Sequence, residues 1–89
     1  MSYFQHVEII MDSPARLMDL LVNHNDGTLA IQSHREVKRL MQQGCVKLRK
    51  PIKQKMVITD IDFMVDRSMR VCIGKRRTYD FCFDGFKFS

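Results

Sequence analysis

The sequence predicts an α+β domain in which two tandem short helices pack on a small, mostly antiparallel sheet. Three observations lead to this prediction: two helix-start signals before residue 34, apolar residues at helical spacing after each signal, and an alternation of apolar and polar residues after Gly44. A chain of 89 residues can bury one small core. We therefore expect a single domain over residues 1–89, without a linker or an internal repeat.

The amino-terminal part of the chain contains a lead-in segment and the first helix. Residues 3–11 mix apolar and polar side chains and are compatible with a short strand or an irregular segment. Ser13 and Pro14 predict a helix start, because serine caps helices and proline at the first helical position gives up no amide that the helix needs. We expect this helix to end within residues 23–27, and its apolar stripe contains Leu17, Leu20 and Leu21.

The second helix has both a start signal and a stop signal. Ser33 followed three residues later by Glu36 is typical of a capping box, and Gly44 suits the left-handed residue that ends a helix. One side of this helix carries the apolar residues Val37, Leu40 and Met41. The opposite side carries Arg35, Arg39 and Gln42, with Lys38 beside them. That side is expected to face solvent or an anionic partner.

Two short strands are predicted after the second helix. Residues 45–48 and 56–59 have the composition of strands, and Pro51 interrupts the basic segment between them. The segment 60–66 predicts a turn region. It is expected to point two apolar residues inward, Ile61 and Phe63.

The clearest strand signal is a hairpin near the carboxyl end. Residues 69–73 and 78–83 alternate in polarity, and Gly74 with Lys75 fits a two-residue turn with glycine first. The returning strand carries an aromatic row on one face, namely Tyr79, Phe81 and Phe83. This row predicts core packing, and a platform for base stacking is the alternative.

Positive charge is concentrated in the middle of the chain. Residues 31–58 contain eight lysines or arginines and Glu36 as their one acidic residue, a net charge of +7. The net charge is −3 for residues 1–30 and +1 for residues 59–89, which accounts for the +5 of the whole chain. A concentrated cationic surface favours a polyanionic partner, because neutralised phosphates release condensed counterions. The alternative is a solvated basic surface.

The composition also indicates a compartment. The sequence has no run of 18 apolar residues, and its start, MSYFQHVEII, lacks the basic and long apolar parts of a signal peptide. The three cysteines, Cys45, Cys72 and Cys82, are an odd number and favour reduced thiols over a disulfide framework. We therefore expect a soluble, cytoplasmic protein without a membrane partner.

Signals for catalysis are weak in this sequence. The three histidines are scattered, and there is no Cys-x-x-Cys, His-Glu-x-x-His or glycine-rich phosphate loop. Asp60 and Asp62 have a spacing found at some metal sites, but a turn between strands explains them. We predict no enzyme activity, no cofactor, no metal site and no small-molecule substrate.

The order of elements resembles that of an RNA-binding family. The segment SHREVKRLMQQGCVKL, residues 33–48, combines a serine at a helix start, a basic helix, a Gln-Gly exit and a strand. It resembles the RNA-binding domain named after small-subunit ribosomal protein number four, also called the alpha-L motif. Residues 17–22 match the first helix of that family. Residues 74–79, GKRRTY, resemble a segment near the carboxyl end of bacterial tyrosyl-tRNA synthetases, whose last domain belongs to the family.

The resemblance covers residues 14–83 and has two departures. The Val-Asn-Gly turn of the family is replaced by the sequence LRKP at residues 48–51, and Val37 stands where the family has a small alanine. No catalytic synthetase domain accompanies the resemblance. It therefore implies RNA binding and not aminoacylation.

The resemblance implies that the second helix and the strand after it contact RNA. On the helix side the matching residues are Ser33, His34, Arg35, Lys38 and Arg39, and on the strand side they are Lys47, Arg49 and Lys50. Charge alone extends this set to Lys53 and Lys55, and the hairpin tip adds Lys75, Arg76 and Arg77. Basic residues at a hairpin tip also serve solubility, and Ser33 also serves as a cap.

Three hypotheses for the function follow. The leading one is a small non-catalytic protein that recognises structured RNA, either tRNA or rRNA, by its shape and backbone. The second is a protein-interaction or inhibitor module that docks on a host or ribosomal protein, which the seven methionines and the phenylalanine-containing tail favour. The third is DNA binding, because a basic helix does not distinguish the two nucleic acids.

Overall fold

The computed structural model describes residues 5–23, 33–50, 52–75 and 77–88. Its elements, in chain order, are β1 (Gln5–Met11), β2 (Ala15–Arg16), α1 (Leu17–Asn23), α2 (His34–Gln42), β3 (Val46–Lys50), β4 (Met56–Val57), β5 (Met64–Val65), β6 (Met69–Ile73) and β7 (Arg77–Phe83). The predicted α+β class with two helices and a mostly antiparallel sheet is confirmed at this level. No helix in the described ranges is long and apolar enough to cross a membrane.

The main sheet has five strands in the order β1-β7-β6-β3-β4. Its one parallel pair is β1 with β7, and the other three pairs are antiparallel. A separate two-stranded sheet joins β2 to β5. Strand β1 therefore lies beside the last strand of the chain, β7, and forms the edge of the sheet farthest from β4.

The strand β1 confirms the first of the two alternatives for the lead-in segment. Its buried residues are Val7, Ile9 and Met11, which alternate with exposed ones. The parallel register sets Val7 beside Tyr79 and Ile9 beside Phe81. Strand pairing with β7 thus selects the extended form of a segment whose local pattern is ambiguous.

The first helix begins later than its local signals predict. The predicted start at Ser13 and Pro14 is wrong, because helix α1 begins at Leu17. Ala15 and Arg16 instead form strand β2 against β5, and the amide of Leu17 donates to the carbonyl of Phe63 at 2.9 Å. Pairing with a segment almost 50 residues away in the chain outweighs the local capping preference.

The second helix has the predicted caps at both ends. The Ser33 hydroxyl accepts a hydrogen bond from the amide of Glu36 at 3.2 Å. At the other end the amide of Cys45 donates to Leu40 and the amide of Gly44 donates to Met41, at 3.0 and 3.1 Å. With Gly44 at φ +74°, these two bonds form a Schellman motif, and the chain turns directly into β3.

The core lies between the two helices and one face of the main sheet, which we call the inner face. Helix α1 contributes Leu17 and Leu21, and α2 contributes Val37 and Met41, all essentially inaccessible to solvent. The sheet side of the core is formed by Val7, Ile9, Val46, Leu48, Met69, Val71, Ile73, Tyr79 and Phe81. The apolar stripes predicted for the two helices are therefore the surfaces that pack on the sheet.

The region between β3 and β6 follows the prediction only in part. The strand predicted over 56–59 is confined to Met56–Val57, and a further short strand forms at Met64–Val65. Phe63 is half-buried against the core, as expected, but Ile61 is 40% exposed and the inward orientation predicted for it is wrong. Residue 61 lies at the tip of a turn that the amide of Phe63 closes on the carbonyl of Asp60 at 3.1 Å, which directs its side chain outward.

The hairpin differs from the prediction by one residue. Ile73 pairs with Arg77, so the loop has three residues, 74–76, and the predicted two-residue turn is wrong. Gly74, at φ +62°, occupies the left-handed region that favours glycine. Tyr79 and Phe81 are only 2% and 0% exposed, which confirms core packing for these rings. A ring this buried offers no surface for base stacking.

Candidate nucleic-acid interface

The face of the main sheet opposite the core, here called the outer face, carries the polar side chains of the central strands. Along β3, Val46 and Leu48 point to the core, so Lys47 and Arg49 project from the outer face. Lys47 pairs with Cys72, and Cys72 pairs with Thr78. Beside Lys47, the outer face therefore carries the small, uncharged side chains of Cys72 on β6 and Thr78 on β7.

An irregularity in β3 affects the direction of Arg49. The register with β6 shifts between Leu48 and Lys50, which leaves Arg49 as the additional residue of a bulge. The guanidinium Nη1 of Arg49 lies 3.8 Å from the Cys72 sulfur. The bulge thus holds Arg49 over the neighbouring strand, at the place where the sequence departs from the turn of the alpha-L family.

Four predicted cations line one groove on the outer face. The groove has a volume of about 470 Å³ and is lined by Lys47, Arg49, Lys55 and Lys75, together with the uncharged residues Gly44, Cys45, Cys72, Gly74 and Thr78. No carboxylate is among these lining residues. We call this feature the outer groove. Its charge is unopposed within the groove, so it attracts anions.

The floor of the outer groove is built from two chain reversals. The amide of Gly74, at the start of the hairpin loop, donates to the carbonyl of Cys45 at 2.8 Å, directly after the end of α2. Gly44 and Gly74 both need a positive φ, and neither carries a side chain that would fill the groove. The helix exit and the hairpin tip are consequently held together, and Lys75 is brought to the same groove as Lys47.

The basic side of α2 lines a different hollow. Ser33, Arg35, Glu36 and Arg39 surround a hollow of about 260 Å³, which we call the helix hollow. Helix α2 packs on the inner face through Val37 and Met41, whereas the outer groove lies on the other face of the sheet. The sequence predicts one continuous surface, and the structure divides its residues between two hollows. Lys38 is exposed on the same helix.

His34, one of the residues predicted to contact RNA, lies at the surface and contacts another side chain of the protein. Its Nε2 lies 2.8 Å from the Asp19 carboxylate of α1, and the same carboxylate accepts from Arg16 at 3.1 Å. Hydrogen bonds from Arg16 and then from His34 lower the pKa of Asp19 below its ordinary value. His34 therefore connects the two helices at the first turn of α2.

The remaining predicted residues lie outside the outer groove. Lys50 and Lys53 are exposed, at the end of β3 and in the loop after it, and neither lines the groove. Arg77 is half-buried and shares a hollow with Leu40, Cys45, Ile73, Gly74 and Lys75. The prediction for Arg76 falls outside the described residues.

Sequence reasoning misses a charged cluster on the outer face. Arg70 of β6 donates to Asp80 of β7 through Nε at 2.6 Å and Nη2 at 3.0 Å, and His6 Nε2 of β1 lies 2.6 Å from the same carboxylate. The Arg70 guanidinium also lies 5.3 Å from the centre of the Phe88 ring. Cross-strand register is the signal that could have identified this cluster, since Arg70 and Asp80 are directly opposite each other.

The Asp80 carboxylate is buried but stays charged. Burial by itself raises the pKa of this carboxyl, but the hydrogen bonds from Arg70 and His6 outweigh burial, and the pKa lies below its ordinary value. The positive charge of Arg70 is neutralised by Asp80 within the cluster. The cluster joins β1, β7 and β6 on the same face as the outer groove and adds no unpaired cation to that groove.

The histidine, cysteine and acidic side chains are spread over the described part of the chain. No three histidine, cysteine, aspartate or glutamate side chains within it come together as metal ligands. The Asp60 carboxylate accepts a hydrogen bond from the amide of Asp62 at 2.9 Å, which confirms the turn interpretation of this pair. Cys45, Cys72 and Cys82 are free thiols. Cys72 lies in the outer groove, and burial raises the pKa of Cys82.

The comparisons with known proteins do not assign a family to this chain. No protein-family model matches the sequence, and no curated protein matches it significantly. The resemblance to the alpha-L domain therefore depends on the residues quoted above and enters the functional argument as a proposal.

Proposed function

We propose that this protein is a non-catalytic RNA-binding module that holds structured RNA, either tRNA or rRNA, in the outer groove. The observation that carries the proposal is the convergence of Lys47, Arg49, Lys55 and Lys75 on one groove whose lining contains no carboxylate. Four cations on one concave surface fit closely spaced phosphates. Lysine contributes mobile point charges, and arginine can grip a phosphate with two hydrogen bonds.

The lining of the outer groove favours contacts to the RNA backbone. It contains no aromatic residue, and the rings of Tyr79 and Phe81 are buried in the core on the other face. Unpaired bases therefore find no aromatic ring to stack on in this groove. Cations, a hydroxyl and small side chains suit the phosphates and 2′-hydroxyls of a folded RNA.

The choice of RNA over DNA is supported by the resemblance to the alpha-L family. Two helices followed by a basic strand are common to this chain and the family, and the capped start of α2 stands where the family has its serine-rich helix start. The alpha-L fold itself and a cytoplasmic location belong to the same proposal. In this account the helix hollow is a secondary contact, where Arg35, Arg39 and the first amides of α2 face a phosphate.

The salt dependence of RNA affinity tests this function. A fluorescent RNA stem-loop is titrated with protein between about 50 and 200 mM salt. Four phosphate contacts in the outer groove lower the affinity about 50- to 150-fold across this range. Six contacts, with Arg35 and Arg39 included, lower it about 300- to 2,000-fold. An affinity that does not change with salt contradicts the proposal.

A competition experiment tests the choice of nucleic acid. Unlabelled RNA stem-loop and a DNA duplex of the same sequence each displace the labelled RNA at about 100 mM salt. We expect the RNA to compete at a concentration at least about tenfold lower than the DNA. Equal competition would leave the outer groove as a phosphate-binding site and would contradict the preference for RNA.

A further inference from the structure

A further hollow, on the opposite face of the sheet from the outer groove, has a different chemistry. It has a volume of about 400 Å³ and lies where β3, β6 and the 60–66 segment meet. Its apolar lining consists of Leu48, Ile52, Phe63, Met64 and Met69, and its charged residues are Asp60, Asp62, Asp66 and Arg67. We call it the acidic hollow. It shares no lining residue with the outer groove.

The acidic hollow leaves apolar surface accessible to solvent. Met64, in its lining, is 46% exposed, and Ile61, on the turn beside it, is 40% exposed. Ile52 and Phe63 are only partly covered, although both pack against the core. Large apolar side chains exposed together around a concave surface are typical of a site that a partner covers. Methionine suits such a site because its side chain adapts to different shapes.

The carboxylates around the acidic hollow are weakly neutralised within the protein. Asp62 is 74% exposed, and within the described residues its one ion pair is with Arg16 at 3.5 Å. Asp66 is 50% exposed and contacts the adjacent and more exposed Arg67 at 3.2 Å. Asp60 accepts a hydrogen bond from a backbone amide and, within the described residues, forms no ion pair. The lining has three aspartates and one arginine, and Arg16, which contacts Asp62 from outside the lining, is shared with Asp19. The hollow is therefore negative on a protein whose net charge is +5.

We propose that the acidic hollow binds a cationic, apolar segment of a partner protein. In the complex an apolar side chain of the segment enters between Phe63 and Met64, and lysines or arginines on either side of it contact Asp60, Asp62 and Asp66. Burial of the apolar side chain supplies affinity, and the carboxylates select cationic sequences over acidic ones. A nucleic acid is repelled from this hollow by the same carboxylates.

The position of the acidic hollow permits two partners at once. Leu48 in its lining and Lys47 in the outer groove are neighbours on β3 that point to opposite faces of the sheet. A polyanion in the outer groove therefore leaves the acidic hollow accessible. The proposal does not depend on RNA binding, and it stands or fails by a separate experiment.

The test uses a short fluorescent peptide with two leucines flanked by lysines, titrated with the full chain at about 150 mM salt. Two comparison peptides replace the leucines by serine or the lysines by glutamate. We expect micromolar binding of the leucine–lysine peptide and at least about tenfold weaker binding of each comparison peptide. Absence of binding by the leucine–lysine peptide, or equal binding by the serine–lysine peptide, overturns the proposal.

Two triple variants with the same change of net charge locate the site. The hollow variant is Asp60→Asn, Asp62→Asn and Asp66→Asn, in which residue 60 keeps an oxygen for the amide of residue 62. The control variant is Glu8→Gln, Asp12→Asn and Asp84→Asn, three exposed positions outside the hollow. We expect the hollow variant to lose at least about tenfold in peptide affinity and the control less than about twofold. An equal loss in both variants would show general charge attraction and overturn the proposal.

Amide shifts measured by NMR provide a readout that does not depend on any variant. Unlabelled peptide added to the ¹⁵N-labelled native protein is expected to shift the amides of residues 60–69 and to leave those of the outer-groove residues Gly44, Cys45, Gly74 and Lys75 in place. Shifts confined to these outer-groove residues, or spread evenly over the surface, contradict binding at the acidic hollow.

Discussion

At the scale of single residues, Asp80 is the one buried charged side chain in the described part of the chain. It accepts two hydrogen bonds from Arg70 and lies 2.6 Å from His6 Nε2. These contacts tie three neighbouring strands together on the outer face. A buried carboxylate that loses either its charge or its partners becomes costly, so the cluster makes the sheet sensitive to both substitution and acid.

Replacing Asp80 by asparagine should destabilise the protein. Asparagine keeps one acceptor oxygen, but it cannot balance the charge of Arg70. Its NH2 group is a donor and replaces the second oxygen that accepts hydrogen bonds in the native protein. We expect the free energy of unfolding in urea to fall by about 3 kcal/mol. Asp84→Asn is the matched control, because residue 84 is exposed and has φ +56°, which asparagine tolerates. A loss of less than about 0.5 kcal/mol is expected for the control, and a similar value for the Asp80 variant would contradict the role of the cluster.

The same cluster predicts how stability depends on pH. The pKa of Asp80 is lower in the folded protein than in the unfolded chain, so the stabilisation is present above the unfolded value of about 3.9. It is lost as the pH falls through the lower, folded value. Urea unfolding from pH 7 down to pH 3 should therefore show a steeper acid loss for the native protein than for Asp80→Asn. Parallel curves would show that Asp80 titrates normally.

At the scale of elements, the features that follow from the sequence are those with local causes. Helix α2 has its start and its end within the segment itself, in the Ser33 cap and the Gly44 reversal. Strand β2 has no local signal, because its two residues become extended only by pairing with Met64–Val65. Capping motifs are therefore visible in the sequence, whereas a strand fixed by a distant partner is not.

The hairpin shows how a one-residue error hides a contact. A two-residue loop would place Ile73 opposite Arg76 and Arg70 opposite Tyr79, whereas the observed three-residue loop places Arg70 opposite Asp80. The Arg70–Asp80 pair was therefore missed because the loop length was wrong, although both residues are plain in the sequence. Loop length depends on the conformation of the residues at the tip, which alternating polarity does not specify.

Ser33, at the start of α2, and Ser13, where a helix start was predicted but does not form, provide a test of the capping assignment. Ser33→Ala removes the acceptor for the amide of Glu36 and should cost about 1 kcal/mol in urea unfolding. Ser13→Ala is the control, since the hydroxyl of Ser13 is exposed and, within the described residues, contacts only the neighbouring Asp12, at 3.4 Å. We expect the control to lose less than about 0.5 kcal/mol. An equal loss at both serines would argue for a helix start at Ser13.

At the scale of the whole molecule, the protein has two faces of opposite chemistry. The outer groove collects Lys47, Arg49, Lys55 and Lys75, and the acidic hollow collects three aspartates on the other side of the sheet. All four groove cations were among the predicted RNA contacts: Lys47 and Arg49 from the resemblance, Lys55 from charge alone and Lys75 from its place at the hairpin tip. Their grouping in one groove was not predicted. Strand alternation, the bulge at Arg49 and the hairpin tip together determine which cations meet, and these depend on pairing between distant segments.

The same dependence explains the parts of the predicted site that do not assemble. Arg35 and Arg39 share a helix with His34, and the packing of that helix on the inner face sets them apart from Lys47. His34 is drawn to Asp19 on the other helix. Six of the nine residues that line the acidic hollow lie within 60–67, but the hollow forms only where this segment meets Leu48, Ile52 and Met69, and the polarity pattern does not specify that contact.

The most direct test of the account compares two triple variants with the same loss of charge in RNA binding at about 100 mM salt. The groove variant is Lys47→Gln, Arg49→Gln and Lys75→Gln, and the control is Lys50→Gln, Lys53→Gln and Lys87→Gln, all exposed and outside the groove lining. Loss of three charged contacts predicts about 100-fold weaker binding of the stem-loop by the groove variant and less than about fivefold for the control. Equal weakening by the two variants, with both still folded, would contradict the outer groove as the RNA site.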